Sequence, residues 1–471
     1  MGAVFGQNPG KTFGGTQNEE GYSLALLTDG NYGIVGRTRS QGAGADDAWI
    51  LKVAPTGRLL WARTLGSSNL EHAHWVEPTA DGGMVVLGFS NGLPGRGGRH
   101  DFLLIKLDAL GNIEWQQLYG AVNREIGFCV KPTRTGGYVL LGYSRSVGTW
   151  GDIYLVGTDS AGTELWAGDY GTPFVDYGHE VEVLPDGGFL ILGSESGFYY
   201  PTELDQWRSH ADMVLIRTDS VGNEVWYKTY GGAKHELGRS MCPAADGGWY
   251  LFGSTQSAGA GSFDQWLLRL DANGDSLWSR TYGGPEWDYG NSIARDSEGN
   301  LYLLGTTNSE GPTGSPDIWL QKADAEGNVL WGLTIGGARS DYGYQVRALP
   351  EGGCLLVGAT RSFGQGEQDL YLVRVTAEGQ IDLFLEELPV EGAPIYPVPV
   401  TGISTVDPSG VIGDAGFEWR VYDVAGRRVQ RESVVGGNRT AVSAAELPSG
   451  VYVYEIWVGE ERRLTGRFLV E

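Results

Sequence analysis

Short apolar segments alternate with glycine-rich turns along most of this chain. In one stretch, HELGRSMCPA, DGGWYLFGST and DQWLLRLDANGDSLWSRTYGG supply four apolar segments in succession. The turns between them contain Asp246-Gly247-Gly248 and Asp271-Ala272-Asn273-Gly274, where glycine allows a positive φ at little steric cost. Short apolar segments bounded by such turns predict β-strands. The stretch is therefore predicted to fold as a four-stranded antiparallel meander.

The same pattern recurs seven times, with 51 to 60 residues between successive copies. Each copy opens its third segment with an aspartate: Asp47, Asp101, Asp152, Asp212, Asp264, Asp317 and Asp369. Six copies carry a tryptophan near the fourth segment, and Leu383 takes the seventh place: Trp61, Trp115, Trp166, Trp226, Trp278 and Trp331. One small sheet cannot bury its own faces, so the copies must pack against one another. The sequence predicts an all-β fold built on a seven-bladed β-propeller, with the tryptophans docked against neighbouring blades.

Two segments compete to close the ring. Residues 11–15 read Lys-Thr-Phe-Gly-Gly and match the end of a fourth strand at residues 228–232, so the N-terminal segment could complete the last blade. Alternatively, IDLFLEEL at residues 381–388 completes its own blade. After Leu388 the repeat stops, and four prolines follow at 389, 394, 397 and 399, as in a stiff linker. The predicted domains are a propeller at 1–388 and a second domain at 389–471.

The repeat unit is similar to a known class of repeats. Its consensus, Asp-x-aromatic-Leu-x-Lys/Arg-x-Asp-x-x-Gly-x-x-x-Trp, resembles the bacterial propeller repeats found in secreted proteins, and its end is similar to the tryptophan-docking motif of quinoprotein propellers. Quinoprotein enzymes of that kind usually have eight blades, a calcium ion and adjacent cysteines under the cofactor. This chain has seven units, and Cys129, Cys242 and Cys354 lie in different repeats. No cofactor and no bound metal are therefore predicted.

The tail contains a different set of motifs. In order, they are IYPVP at 395–399, VYDVAGRRV at 421–429, LPSGVYVY at 447–454 and RFLV at 467–470. Alternating apolar positions separated by turn residues predict a small β-sandwich. The set resembles the type A C-terminal sorting domain of the type IX secretion system. This resemblance implies that the propeller is cargo of that machinery, and that it is secreted or displayed on the outer cell surface.

Charge and hydropathy exclude two classes of partner. The chain has 34 Lys and Arg against 58 Asp and Glu, a formal net charge of −24. Nucleic acids and anionic membrane surfaces reward clustered basic residues, so neither is an expected ligand. No apolar run is long enough for a membrane helix, and no transmembrane segment is predicted.

A ring of acidic residues precedes the first strand of each blade. Its members are Glu19, Glu71, Glu125, Asp176, Glu236, Asp288 and Asp341. They could hold a cation at one mouth of the central channel. A residue that is present in every blade more often has a structural role in the repeat. We therefore interpret the ring acids as caps for backbone amides.

The candidate binding residues occupy positions that differ from blade to blade in an otherwise uniform repeat. Two positions after each acid lies a small residue, and the next residue differs from blade to blade; His74, His179 and Arg239 are the candidates among these. The two histidines could serve as acids or bases near neutral pH, although such positions at a channel mouth are more often ordinary polar lining. The fourth unit is the longest, and its excess lies in a loop at residues 194–212. This loop carries the aromatic and guanidinium groups typical of recognition surfaces: Tyr199, Tyr200, Trp207 and Arg208.

The sequence favours a binding module over an enzyme. Aromatic rings stack on sugar faces, so a glycan is a plausible ligand, and a surface protein is the other candidate. A polysaccharide hydrolase or lyase that uses the same propeller face is the alternative. Glycosidases need paired carboxylates across a cleft, and no acid here is distinguished from its counterparts in the other blades. No catalytic residue is assigned.

Overall fold

The structure is a computed structural model that describes residues 2–4, 8–92, 100–148, 150–199, 208–311, 314–382, 384, 395–396, 403–406, 417–423, 427–434, 440–443, 447, 450–459 and 461–470. Two compact units divide the chain. The first contains Met1–Gly6 and Gly10–Ile381, and the second contains Gln7–Pro9 and Asp382–Glu471. The domain boundary predicted at Leu388 falls among residues outside the described part of the chain.

Seven antiparallel sheets make up the first unit, and each is one blade. Two short strands come first, β1 (Gly2–Val4) and β2 (Lys11–Phe13). Blades 1 to 3 contain β3 (Glu19–Leu26), β4 (Tyr32–Thr38), β5 (Asp47–Val53), β6 (Leu59–Leu65), β7 (Glu71–Pro78), β8 (Met84–Ser90), β9 (Asp101–Leu107), β10 (Ile113–Tyr119), β11 (Glu125–Pro132), β12 (Tyr138–Ser144), β13 (Asp152–Thr158) and β14 (Glu164–Tyr170).

Blades 4 to 7 repeat the same order. Their strands are β15 (Tyr177–Val183), β16 (Phe189–Tyr199), β17 (Arg208–Thr218), β18 (Glu224–Tyr230), β19 (Glu236–Pro243), β20 (Trp249–Thr255), β21 (Asp264–Leu270), β22 (Ser276–Tyr282), β23 (Asp288–Arg295), β24 (Leu301–Thr307), β25 (Asp317–Ala323), β26 (Val329–Ile335), β27 (Asp341–Ala348), β28 (Cys354–Thr360), β29 (Asp369–Val375) and β30 (Ile381–Asp382). Within each blade, strands pair in sequence order. The predicted seven-bladed propeller is confirmed.

The N-terminal segment closes the ring. Strand β2 pairs antiparallel with β29, with Thr12 opposite Tyr371, and so supplies the outer strand of blade 7. Strand β30 also pairs with β29. Both segments that compete in the sequence therefore contact the last blade. Residue 383 and residues 385–388 of the second segment lie outside the described residues. Strand β1 pairs in parallel with β26 at the edge of blade 6.

Each blade buries its middle strands and docks its outer strand on the next blade. All seven residues of β5, β8, β9 and β12 are buried, whereas outer strands such as β10 are largely exposed. The outer-strand tryptophan lies over the turn glycine of the following blade. A Cβ atom on Gly111 would lie 2.7 Å from the Trp61 ring, and one on Gly222 would lie 2.6 Å from the Trp166 ring. Glycine is required there because of this close approach and because both residues have a positive φ.

The repeated aspartates close the loop between the second and third strands. Asp47 Oδ2 accepts the backbone N–H of Gly44 at 3.1 Å, and Asp264 Oδ2 accepts that of Gly261 at 3.1 Å. In blade 7, Asp369 Oδ2 accepts the N–H groups of Gln365 and Gly366, both at 3.0 Å. In blades 1, 5 and 7 the aspartate therefore fixes where the third strand begins.

The second unit contains two sheets, as the predicted β-sandwich requires. Strands β31 (Ile395–Tyr396), β32 (Ile403–Val406) and β35 (Thr440–Ser443) form one. Strands β34 (Arg428–Val434), β33 (Phe417–Asp423), β36 (Gly450–Val458) and β37 (Glu461–Val470) form the other, in that order. Trp419 is buried and stacks on Tyr454 with 4.7 Å between ring centroids.

Removal of residues 1–13 should destabilise the propeller, because the deletion takes β2 from blade 7 and leaves residues 370–372 of β29 with an unpaired edge. We expect the melting temperature to fall by roughly 5 °C or more. Deletion of residues 1–7 is the matched control, since it removes β1 and keeps β2. Equal melting temperatures for the two truncations, measured by calorimetry, would contradict closure by β2.

Candidate functional site

The acidic ring ties each blade to the one before it. Glu71 Oε2 accepts the N–H of Ser67, in the loop that leaves blade 1, at 2.6 Å, and Glu71 Oε1 accepts the hydroxyl of Ser90, in its own blade, at 2.7 Å. The loop amides that reach the other ring acids belong to Gly15, Ala121, Thr172, Gly232, Gly284 and Gly337. These are the contacts that the capping interpretation predicts. In the described part of the chain, no three His, Cys, Asp or Glu side chains are arranged to hold a metal ion.

The same acids face the repeated aspartates of the preceding blades. A Cβ atom on Gly231 would overlap Asp212 Oδ1 and lie 2.8 Å from Glu236 Oε2, so both carboxyl groups converge on this glycine. Gly66 and Gly336 have the same surroundings in two other junctions. Among the described residues, the buried Oδ1 atoms of Asp47, Asp264 and Asp317 accept no hydrogen bond.

Burial and the facing carboxylate make one member of such a pair hard to ionise. Burial raises the pKa of Asp317 to about 7, and the charge of Asp341 adds to the rise. In a second junction, burial raises the pKa of Asp212 to about 6, and Glu236 acts in the same direction. Two carboxyl groups this close are most stable with one proton between them.

A β-bulge in every inner strand presents one residue to the central channel. In blade 1 the pairing register shifts between Gly21 and Ser23, and in blade 2 it shifts between Ala73 and Trp75. A bulge leaves its extra residue unpaired and redirects its side chain. The bulged residues are Tyr22, His74, Phe128, His179, Arg239, Asn291 and Tyr344, at the positions that vary between blades.

Neighbouring members of this ring contact one another around the channel. His74 stacks on Phe128 at 5.4 Å, and Phe128 lies 5.8 Å from His179, measured between ring centroids. Arg239 Nη1 lies 3.4 Å from the imidazole of His179. The structure therefore brings His179 and Arg239 together, whereas the Phe128 ring separates them from His74. The sequence did not single out His72, but its ring packs edge-on against His74, with 5.7 Å between ring centroids.

Neither predicted histidine has the properties of a general acid or base near neutral pH. Burial lowers the pKa of His74 to about 3, and His74 Nδ1 lies 2.8 Å from the carbonyl oxygen of Gly127. Burial also lowers the pKa of His179 well below its ordinary value, and the positive charge of Arg239 adds to this. Both imidazoles are therefore neutral, and the channel ring is suited to packing and polar lining.

A second group of charged residues lies further along the inner strands. Lys131 Nζ contacts Glu77 Oε1 at 3.0 Å and Glu182 Oε1 at 2.9 Å, so it joins blades 2, 3 and 4. Arg347 Nη2 lies 3.7 Å from the same Glu77 oxygen. Because blade 1 separates blades 7 and 2, Arg347 reaches Glu77 across the channel. The Trp75 ring lies beside both cations, 5.3 Å from Lys131 Nζ and 5.4 Å from Arg347 Cζ.

The long fourth unit is partly strand, which corrects the predicted loop at 194–212. Strands β16 and β17 continue past their counterparts and pair as far as Tyr199 opposite Arg208. The register of this hairpin shows no shift along its length, as in the corresponding hairpins of the other blades. Tyr199 and Arg208 thus end a projecting hairpin, and Tyr200 and Trp207 lie outside the described residues.

A cleft of about 480 Å³ opens between blades 3 and 4, and sequence reasoning missed it. Its lining comes from the start of β11, the end of β12, the following loop and the approach to β15: Arg124, Ile126, Tyr143, Arg145, Trp150, Val175 and Tyr177. Glu125 and Asp176 are sequence neighbours of this lining, so the cleft lies on the face that bears the acidic ring. The sequence contains one indication of these lining residues. The residues that flank the ring acids differ from blade to blade, as the channel residues do.

Aromatic side chains are exposed in this cleft. Trp150 is 57% exposed, and Tyr177 is 37% exposed. Tyr177 stacks on the buried Tyr143, with 4.8 Å between centroids and 27° between planes. The Tyr143 hydroxyl donates to the carbonyl oxygen of Trp150 at 3.3 Å. Tyr143 therefore positions both exposed aromatic residues.

Two families match this chain. Residues 277–312 match the beta-propeller repeat, and residues 394–471 match the secretion system C-terminal sorting domain. The regulatory protein FlaEY of Caulobacter vibrioides is 26% identical over 158 residues, which cover 28% of this chain and 17% of that protein. Both resemblances predicted from the sequence are confirmed.

Two solved structures are similar to this chain at low identity. Sqt1 from Chaetomium thermophilum has a TM-score of 0.45 and 10% identity, with 86% of this chain and 97% of that chain covered. The Neurospora crassa Pan2 WD40 domain has a TM-score of 0.45 and 8% identity, with 78% and 91% covered.

The fold and the matched families define a secreted β-propeller protein. Its C-terminal sorting domain indicates export through the type IX secretion system to the cell surface or beyond, and this domain implies interaction with the secretion machinery. Within the residues that the structure describes, no helix is long and apolar enough to cross a membrane.

Proposed function

We propose that this protein is a binding module that recognises a glycan through the cleft between blades 3 and 4. The observation that carries the proposal is the pair of exposed aromatic residues, Trp150 and Tyr177, in a concave site on the ring face. Exposed aromatic rings in a cleft offer a large contact area at little loss of conformational freedom. The stacking of Tyr177 on Tyr143 further reduces the cost of ordering the site.

The chemistry of the face supports binding over catalysis. The ring acids Glu125 and Asp176, which flank the cleft, are occupied by hydrogen bonds from Ser144 and Thr172. Hydrolysis of a glycosidic bond needs two carboxyl groups directed at the substrate. A polysaccharide hydrolase or lyase on this face is the alternative function, and the release of products from a bound glycan would identify it.

Substitution of Trp150 or Tyr177 by alanine should weaken glycan binding. We expect each change to cost about 1–2 kcal/mol of binding free energy, the usual loss for a central aromatic contact. The measurement is a glycan and polysaccharide array with the full chain, followed by calorimetry on each retained glycan. Trp287→Ala is the matched control, since Trp287 is 52% exposed and directly precedes the ring acid of blade 6.

The array separates three outcomes. Binding that the Trp150 and Tyr177 variants lose and the Trp287 variant keeps supports the proposal. Release of shortened or unsaturated sugars by the wild-type chain would replace it with the enzymatic alternative. Failure of the wild-type chain to retain any glycan would overturn glycan recognition and leave a protein ligand as the other candidate.

A further inference from the structure

Two arginines of the cleft have no acidic partner. In the described part of the chain, neither Arg124 nor Arg145 forms an ion pair, and both are exposed. The counterpart of Arg145 in blade 1 behaves differently, and the position of Arg124 is occupied there by Asn18. Arg39 occupies the register position of Arg145, and its Nε contacts Asp46 Oδ1 at 2.5 Å. An unpaired arginine pair in a protein of net charge −24 is available to an external anion.

The backbone holds the two arginines side by side. Arg145 N–H donates to the carbonyl oxygen of Arg124 at 2.9 Å, which places the residues at adjacent strand ends. Burial raises the pKa of Tyr143, and the positive charges of Arg145 and Arg124 oppose that rise. Arg124, Arg145 and Tyr143 all line the cleft.

Among the described residues, the nearby carboxylates of Glu125 and Asp176 form no ion pair with these arginines, because their oxygens accept hydrogen bonds at the blade junctions. Glu125 Oε1 accepts the hydroxyl of Ser144 at 2.9 Å, and Glu125 Oε2 accepts the N–H of Ala121 at 3.2 Å. Asp176 Oδ1 accepts the N–H of Ser196 at 2.8 Å. The cleft thus combines two free guanidinium groups with the faces of Trp150 and Tyr177.

We propose that the cleft binds an acidic polysaccharide, with a sugar carboxylate or sulfate held by Arg124 and Arg145 and a sugar ring against Trp150 and Tyr177. The inference rests on the proposed glycan-binding function and specifies its ligand. Arginine suits this task because its planar group donates two parallel hydrogen bonds to a carboxylate or sulfate. The exposed aromatic faces contact the apolar face of the sugar, which carries no charge.

The test compares polymers that differ in charge alone. The acidic probes are polygalacturonate and dextran sulfate, and their neutral partners are fully methyl-esterified pectin and dextran. We expect the full chain to bind an acidic probe at least about tenfold more tightly than its neutral partner, and Arg124→Gln and Arg145→Gln each to lower the affinity about tenfold. Added salt should weaken binding to the acidic probe.

Arg361→Gln is the control for general loss of positive charge. Arg361 occupies the register position of Arg145 in blade 7, and its N–H donates to Ser340. This variant should bind like the wild type. Arg145→Lys should recover part of the affinity, because it restores charge without the paired geometry. Equal melting temperatures for all variants show that a loss of binding is not a loss of fold.

Each result bears on the inference. Arginine-dependent binding of either acidic probe supports it, and the two probes distinguish carboxylate from sulfate. Equal binding of acidic and neutral polymers, unchanged by the arginine variants, would overturn it while leaving glycan recognition intact. Absence of binding to every polysaccharide would overturn the glycan function as well. Arginine-dependent retention on polyglutamate, but on no polysaccharide, would show that the anion belongs to a protein.

Discussion

Replacement of Lys131 by methionine should lower the free energy of unfolding by about 3–5 kcal/mol, the loss expected when one partner of a buried ion pair is removed. The Lys131 side chain is 14% exposed, and Glu77 and Glu182 are 16% and 26% exposed. Burial alone would lower the pKa of Lys131, but the charges of Glu77 and Glu182 raise it above its ordinary value. Methionine keeps much of the side-chain volume and leaves both carboxylates without their shared cation.

Chemical denaturation of the wild-type and variant chains measures this loss. Lys228→Met is the matched control: Lys228 Nζ contacts Asp275 Oδ1 at 2.6 Å, but Asp275 is 71% exposed. An exposed pair contributes about 0–1 kcal/mol, so the control should stay close to the wild type. Adding Glu182→Gln to Lys131→Met should recover part of the stability, because Lys131 is the only cation paired with Glu182 among the described residues, whereas Glu77 keeps Arg347. Equal effects of Lys131→Met and Lys228→Met would show that the channel cluster contributes no more than a surface pair.

The blade architecture can be predicted from the sequence because its determinants recur. Asp47 and Trp61 have counterparts in the other blades: the aspartate closes a loop in blades 1, 5 and 7, and the tryptophan covers the turn glycine of the next blade. Because these residues recur in the repeat, the sequence alone identifies them as structural positions. The ring acids are understood in the same way, since hydrogen bonds such as those of Glu71 recur in every junction.

The site cannot be predicted in this way because its residues are single departures from the repeat. Arg124 and Arg145 flank the repeated motif, and Trp150 lies in an irregular loop, so nothing in the sequence indicates that they share a cleft. The sequence does identify His74 and His179 as variable positions. Their separation by Phe128 and the lowering of their pKa values depend on the bulges and on the width of the channel.

The contact between Lys131 and its partners illustrates the same limit. Glu77, Lys131, Glu182 and Arg347 are each unremarkable inner-strand residues in the sequence. Only closure of the ring places blade 7 two positions from blade 2 and brings Arg347 next to Glu77. Contacts between adjacent blades follow from the repeat, whereas contacts across the channel follow from the number of blades.

The carboxyl pairs at the blade junctions should make stability depend on pH, and Asp317→Asn isolates one of them. Asp317 has a pKa of about 7 in the folded chain because it is buried and faces Asp341. In the unfolded chain an aspartate has a pKa of about 3.9. The folded state therefore binds more protons than the unfolded state between these values, so this pair stabilises the fold at low pH and the contribution is lost as the pH rises.

The expected result is a difference in unfolding free energy between Asp317→Asn and the wild type that changes with pH. Asparagine resembles the protonated aspartate and can donate from Nδ2 to Asp341, so its contribution does not titrate. Relative to Asp317→Asn, the wild type should lose up to about 1.4 kcal/mol of unfolding free energy per pH unit between about pH 4 and pH 7. A difference is needed because His74 and His179, whose pKa values are lowered, make wild-type stability change in the opposite direction.

A turn aspartate provides a control with the opposite sign. Burial would raise the pKa of Asp81, but hydrogen bonds from Lys106 and Thr79 lower it to about 2. Its stabilising contribution is present at neutral pH and is lost only as the pH falls below the unfolded value, so Asp81→Asn should differ from the wild type by a constant amount between about pH 5 and pH 8. A constant difference for Asp317→Asn over the same range would show that no proton is shared in that junction.

Calcium gives a second test of this junction. If calcium at high pH stabilised the wild type and not Asp317→Asn, the carboxyl pair would hold a cation in place of the proton, and the capping interpretation of the ring would have to include metal binding.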